Sequence, residues 1–132
     1  MLRYMLDTNI CIYALKHQYP QLQALFNRRA EQLAVSTIVL SELHYGVENS
    51  ARPEQNLAVM ESFAARLEVL DFDASAAAHS GQIRATLKRA GQPIGSHDVL
   101  IAGHARSAGL TLVTNNAGEF GRVPGLMTEN WL

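Results

Sequence analysis

Only one cysteine, Cys11, occurs among the 132 residues, which excludes an internal disulfide and any zinc site built on paired cysteines. No apolar run approaches the ~18 residues needed to cross a bilayer. The opening Met1-Leu2-Arg3-Tyr4-Met5-Leu6 meets Asp7 too soon to hold the apolar stretch of a signal peptide. The expectation is an intracellular, cytoplasmic protein without membrane contact. Excess positive charge is also missing, since 11 Lys and Arg against 12 Asp and Glu leave a net charge of −1. That excludes the broad basic footprint of a general nucleic-acid binder. Contact with a polyanion would have to use metal ions or local patches. The candidates are Arg28-Arg29, Arg84, Lys88-Arg89, Arg106 and Arg122, each equally at home on a solvated helix face. Repeats, low-complexity tracts and linkers are absent as well, so residues 1–132 are expected to form a single domain.

What is present is an ordinary globular composition, 48% hydrophobic and 17% charged. Short β-like runs alternate with helical stretches. Strands are expected at Arg3–Leu6, Leu33–Val35, Leu67–Leu70 and Thr111–Val113, with a last one near Leu126–Thr128. Helices are expected over Asn9–Lys16 and Pro20–Arg29, the latter opened by proline in its first turn. Further helices run from a Thr37 cap to about Glu48, from Pro53 to Arg66, from an Asp73 cap to near Gly91, and from a Ser96 cap to Gly109. Strands separated by helices of this length predict an α/β fold with a parallel sheet covered on both faces. In such sheets ligands bind at the carboxyl ends of the strands, where the strand order switches.

Four acidic or amide-bearing segments fall where such a site would be. Asp7 ends the first strand inside Leu6-Asp7-Thr8-Asn9, where an ordinary helix cap would also explain it. Glu42 lies on a helix whose buried stripe is Val39, Leu40, Leu43 and Val47 and whose polar face is Thr37, Ser41, His44 and Glu48. It belongs to neither, sharing an edge with Ile38, Tyr45 and Gly46. Asp98 suits the first turn of a helix through the helix dipole, yet it falls on the side of Ile101, Ala102 and Ala105. A carboxylate on an apolar face needs a partner. Thr114-Asn115-Asn116-Ala117-Gly118-Glu119 follows the fourth strand, either as a polar turn or as oxygen donors from Thr114, Asn116 and Glu119. Acids converging on one sheet edge repel by several kcal/mol per close pair at an effective dielectric of about 20. A hard cation bound by oxygen ligands, Mg²⁺ or Mn²⁺, would relieve that repulsion, activate water and clamp a phosphate. The chemistry alone points to a Mg²⁺-dependent phosphoryl or phosphodiester hydrolase.

Taken in order, Met5-Leu6-Asp7-Thr8-Asn9, Ser41-Glu42-Leu43-His44-Tyr45-Gly46, Asp98-Val99-Leu100-Ile101-Ala102 and Thr114-Asn115-Asn116 with Glu119-Phe120 resemble the signatures of the PIN-domain VapC ribonuclease toxins of type II VapBC toxin–antitoxin systems. The resemblance spans essentially the whole chain. Gly81-Gln82-Ile83-Arg84 and the stretch from Pro124-Gly125-Leu126 to Trp131 look like the branch found in enteric and related bacteria. It implies a PIN-like α/β/α sandwich with a central, mostly parallel sheet, a homodimer, and Mg²⁺-dependent RNA cleavage in which Mn²⁺ can substitute. The implied substrate is tRNA cut in the anticodon stem-loop, initiator tRNA first. The implied partner is a cognate VapB-type antitoxin, through which alone the toxin would meet operator DNA. By resemblance, Asp7, Glu42 and Asp98 are catalytic metal ligands, while Thr8, Asn9 and Thr114 orient them through hydrogen bonds. One position departs from the pattern. Many PIN domains carry an acid where this chain has Asn116, so the amide must serve there or Glu119 must take over as ligand.

His79, His97 and His104 are weaker candidates for a general base, His97 foremost because it adjoins Asp98. Cys11 reads as a small buried residue of the first helix, and Trp131 as a terminal core or dimer contact. A haloacid-dehalogenase-like phosphatase would need a second aspartate where Asn9 stands. A receiver-type domain would need adjacent acids after the first strand and a late lysine. A catalytically inactive RNA- or protein-binding module would have no reason to keep mutually repelling acids.

Overall fold

Runs of two to four residues, too short for helices, make the strands, and segments of 8 to 16 residues make the covering helices. The computed structural model describes residues 1–132. Its order is β1 (Tyr4–Leu6), α1 (Thr8–Leu15), α2 (Pro20–Arg28), β2 (Leu33–Ser36), α3 (Thr37–Glu48), α4 (Pro53–Ala64) and β3 (Glu68–Leu70). There follow α5 (Ala74–Arg89), α6 (Ser96–Ser107), β4 (Thr111–Val113), α7 (Ala117–Phe120) and β5 (Thr128–Glu129). The sheet runs β3-β2-β1-β4-β5 and every neighbouring pair is parallel, so the expected mostly parallel sheet is wholly so. All residues of β1 and β2 are buried, as strands covered by helices on both faces must be. From β1 the chain first builds outward through β2 and β3, then returns to the other side of β1 with β4 and β5. The switch point therefore lies between β1 and β4. Leu6 pairs with Val113, and the Asp7 amide donates to the Val113 carbonyl at 3.1 Å. Asp7 and Thr114 thus leave the sheet side by side.

Several boundaries differ from the sequence reading for local reasons. Ser36, not Thr37, caps α3, since its backbone is extended and its Oγ accepts from the Ile38 amide at 3.0 Å. The Thr37 hydroxyl instead accepts from the Phe72 amide at 3.1 Å and ties the end of β3 to α3. Gly95 precedes α6 without a side-chain cap, so Ser96 is the first helical residue and not its cap. Asp73 caps α5 as expected, accepting from Ala76 at 2.9 Å. The last strand sits at Thr128–Glu129, later than the Leu126–Thr128 expected, because the chain first turns through Gly125 at φ 77°. Two short pieces, α7 and a 3₁₀ turn at Ala30–Gln32, carry too little periodicity to be read from sequence. Trp131 is buried, packing edge-on against Tyr4 with ring centroids 4.9 Å apart, which makes it a core residue.

Helices α5 and α6 approach each other closely because Gly103 has no side chain. A Cβ there would lie 2.0 Å from Ser80 Oγ and 2.7 Å from Ser80 Cα. Gly103→Ala should destabilise the protein by roughly 3 kcal/mol, since the α5 backbone has to move and overpacking outweighs the gain in helix propensity. Gly81→Ala, on the open side of α5 with nothing within 4 Å, should stabilise by up to about 1 kcal/mol. Chemical denaturation of the two variants checks both signs.

Candidate active site

The switch point brings together groups from four separate segments. Asp7 is only 4% exposed and caps α1, its Oδ1 accepting from the Ile10 amide at 2.9 Å. Cap and site residue are therefore the same side chain. Burial pushes its pKa up, hydrogen bonds from Thr114 and the Ile10 amide pull it down, and the charge of Glu42 pushes it up again. Thr114 is fully buried at the end of β4, and its Oγ1 also accepts from the Asn116 amide at 2.9 Å. The hydroxyl therefore fixes both Asp7 and the turn that follows.

Asp98, half-buried in the first turn of α6, has its pKa raised to about 6. The causes are burial, a hydrogen bond with Glu119, and the negative charges of Glu119, Asp7 and Glu42. Glu119 lies beside Asp98, and its charge disfavours ionisation of Asp98. Asn116 braces this pair. Its Nδ2 donates to Glu119 Oε2 at 3.2 Å, and its Oδ1 accepts from the Glu119 amide at 3.4 Å, capping α7. Glu42 completes the group from α3. Its Oε1 is buried without a hydrogen-bond partner, as is the Oγ1 of Thr8.

The predicted acids are thus within one another's fields, with Thr114 and Asn116 bonded to them. Asn9 is exposed on α1. His97 is exposed, and His79 is taken up by Arg106, whose Nε donates to it at 3.0 Å. Cys11 is fully buried, and burial with the charges of Asp7 and Glu42 pushes its thiol well up, away from nucleophilic use. Sequence reasoning missed one buried contact. His104 Nδ1 lies 2.8 Å from Ser36 Oγ and joins α6, which carries Asp98, to the cap of α3, which carries Glu42. Burial lowers the pKa of His104, against the opposing pull of Asp73 and Asp71. A seryl–histidine contact across 68 residues has no local signature in the sequence.

Do these residues suit a divalent cation? A buried carboxylate oxygen without a donor, and a carboxyl whose ionisation its acidic neighbours disfavour, are groups that a cation would satisfy. The donors are all oxygen, which suits a hard ion. No three His, Cys, Asp or Glu side chains already stand at metal-binding spacing.

The chain also resembles known proteins along its whole length. Residues 4–126 match the family described as PIN domain. The tRNA(fMet)-specific endonuclease VapC of Shigella flexneri is 54% identical over 131 residues, 99% of each chain. Among solved structures, DNA-bound VapBC from Salmonella typhimurium superposes with a TM-score of 0.97 at 52% identity, covering 100% of both chains. VapBC2 from Rickettsia felis, bound to a promoter DNA fragment, gives 0.94 at 43% identity over 99% of this chain and 100% of that one.

Proposed function

Since the chain belongs to the PIN-domain VapC family, we propose that it is a Mg²⁺-dependent endoribonuclease toxin, able to use Mn²⁺, that cuts tRNA in the anticodon stem-loop. Initiator tRNA is the first substrate to test, because the Shigella relative is named for it. The observation that supports the reading is that Asp7, Glu42, Asp98 and Glu119 stand within one another's electrostatic reach at the switch point. No histidine is placed to work on a ribose 2′-hydroxyl, so the acids must act through a cation. When bound, the metal supplies Lewis acidity and lowers the pKa of water, making a nucleophile at neutral pH.

The side chains have separable tasks in this mechanism. Asp7 and Asp98 would hold the cation, with Glu42 and Glu119 adding negative charge around it. Thr114 keeps Asp7 in one orientation by donating to it. Asn116 serves as a neutral brace for the Glu119 carboxylate beside Asp98. Asp98 would have to lose its proton before it could act as a ligand. Hydrolysis by water at such a site would leave a 5′-phosphate and a 3′-hydroxyl.

A VapB-type antitoxin is the proposed partner, as in the VapBC complexes that this chain resembles, with operator DNA reached through it and the toxin itself a homodimer. A groove of about 430 Å³ between α1, α3 and α4, lined by Ile12, Leu15, Leu43, Val47 and Val59, also has Glu42 in its wall. An apolar antitoxin segment seated there would abut the acids. The function is tested by incubating the protein with total tRNA and Mg²⁺. Discrete cleavage that chelator abolishes and Mn²⁺ restores is expected, and intact tRNA under all conditions would overturn it.

A further inference from the structure

The acidic cluster poses a problem that the mechanism leaves open. Four carboxylates repel a polyanionic strand, and the net charge of −1 gives no general attraction. A nuclease built this way needs local cations beside the cut. A groove of about 710 Å³ lies between α5, the start of α6 and the connection joining them. Phe72, Ala77, Gly81 and Ile94 give it an apolar lining, while Arg84 and Lys88 project from α5 into it. Both cations are exposed. Standing four residues apart on a helix, they are neighbours at roughly 6 Å, comparable with the step between successive phosphates of a strand. One wall of the groove, with Ser96 and Val99, belongs to α6, the helix whose first turn carries Asp98. At Pro93, on the groove's rim, Arg122, three residues after Glu119, donates to the carbonyl at 3.4 Å and places a third cation.

Resting on the nuclease reading above, we infer that this groove carries the single-stranded RNA flanking the scissile phosphate. Arg84 and Lys88 bind successive backbone phosphates, and the apolar lining with the half-buried Phe72 ring accepts a base. This pairing of a cationic track with an aromatic surface is how single strands are held without strong sequence preference. Base identity at the cut would then be read elsewhere, while the groove sets direction and register.

The test is binding of a fluorescent anticodon stem-loop RNA by anisotropy, without divalent metal, over a series of salt concentrations. The wild type is compared with the double variant Arg84→Ala/Lys88→Ala and with the control Arg28→Ala/Arg52→Ala, which removes the same charge from exposed positions on α2 and before α4. The groove variant should bind roughly tenfold or more weakly, and its slope of log K against log salt should be shallower by about 1.4, the value for two single-strand phosphate contacts. Arg84→Lys should recover most of the slope, and the control should keep it. An unchanged slope in the groove variant overturns the inference. So does an unchanged slope accompanied by a smaller solution mass in light scattering, which would make the groove a contact between two copies of the chain. Because no cleavage is involved, RNA that binds in the groove but is never cut with Mg²⁺ would sink the nuclease reading and leave the groove standing. RNA that is cut normally while the groove variant keeps the wild-type slope would sink only the groove.

Discussion

Asp7→Asn should abolish RNA cleavage by orders of magnitude while leaving the fold at least as stable as before. The two halves of this expectation have different physical origins. Asn keeps the shape of Asp and caps helices as well, so the bond accepted from the Ile10 amide at 2.9 Å survives. It removes a buried negative charge that burial and Glu42 both disfavour, so the metal-free protein loses a penalty rather than a support. Cation binding loses its most enclosed carboxylate, and with it the means of activating water. Cleavage rates and melting temperatures of the purified variant check both. Lost activity with a raised or unchanged melting temperature is the signature of a ligand, whereas a parallel fall in both would mark Asp7 as merely structural.

Glu119 and Asn116 give the second large effect, and it separates two residues that the departure at Asn116 leaves in competition. Glu119→Gln removes the negative charge beside Asp98, and should weaken Mg²⁺ activation about tenfold or more, because a nearby negative charge is lost from a partly desolvated site. Asn116→Ala should cost less activity, since it removes a brace and a cap, worth about 1 kcal/mol of local stability. Asn116→Asp should tighten Mg²⁺ binding by adding a charge beside the site. The pH dependence follows from Asp98. Its carboxyl is raised to about 6, so the proton it binds stabilises the metal-free fold at low pH, and that contribution fades as pH rises through about 6. Mg²⁺ activation should strengthen across the same window, because the proton and the cation compete. In Glu119→Gln the main charge raising Asp98 is gone, so the window should move to lower pH. Metal titrations of cleavage rate at several pH values measure all of this. A Glu119→Gln enzyme that behaves like wild type beside an inactive Asn116→Ala would assign the position to Asn116.

How much of this could be read from the chain depends on how local each signal is. Asp7 and Asp98 stand out because a strand end and an apolar helix side are recognisable from neighbouring residues alone. Glu42 is legible for the same reason, since a glutamate on neither the buried stripe nor the polar face of its helix needs an explanation. Its unpartnered buried oxygen is the physical counterpart of that oddity. What the sequence does not carry is long-range pairing. The order β3-β2-β1-β4-β5, the pairing of Asp98 with Glu119, and the contact of His104 with Ser36 depend on which segments meet, and no residue type announces them. The cap of α3 slipped by one residue because adjacent Ser36 and Thr37 cap about equally well on paper, and the cap of α6 because Gly95 supplies only backbone. Asn9 shows the opposite limit. It belongs to a familiar motif, yet it faces solvent.

The most direct measurement of the central claim is the chemistry of the ends left on initiator tRNA after cleavage with Mg²⁺. Hydrolysis through the acidic cluster predicts a 5′-phosphate and a 3′-hydroxyl at a bond in the anticodon stem-loop. It also predicts continued cutting of a substrate carrying 2′-deoxyribose at that bond, and no products from Asp7→Asn or in the presence of chelator. A 2′,3′-cyclic phosphate, or cleavage that survives chelation, would contradict it.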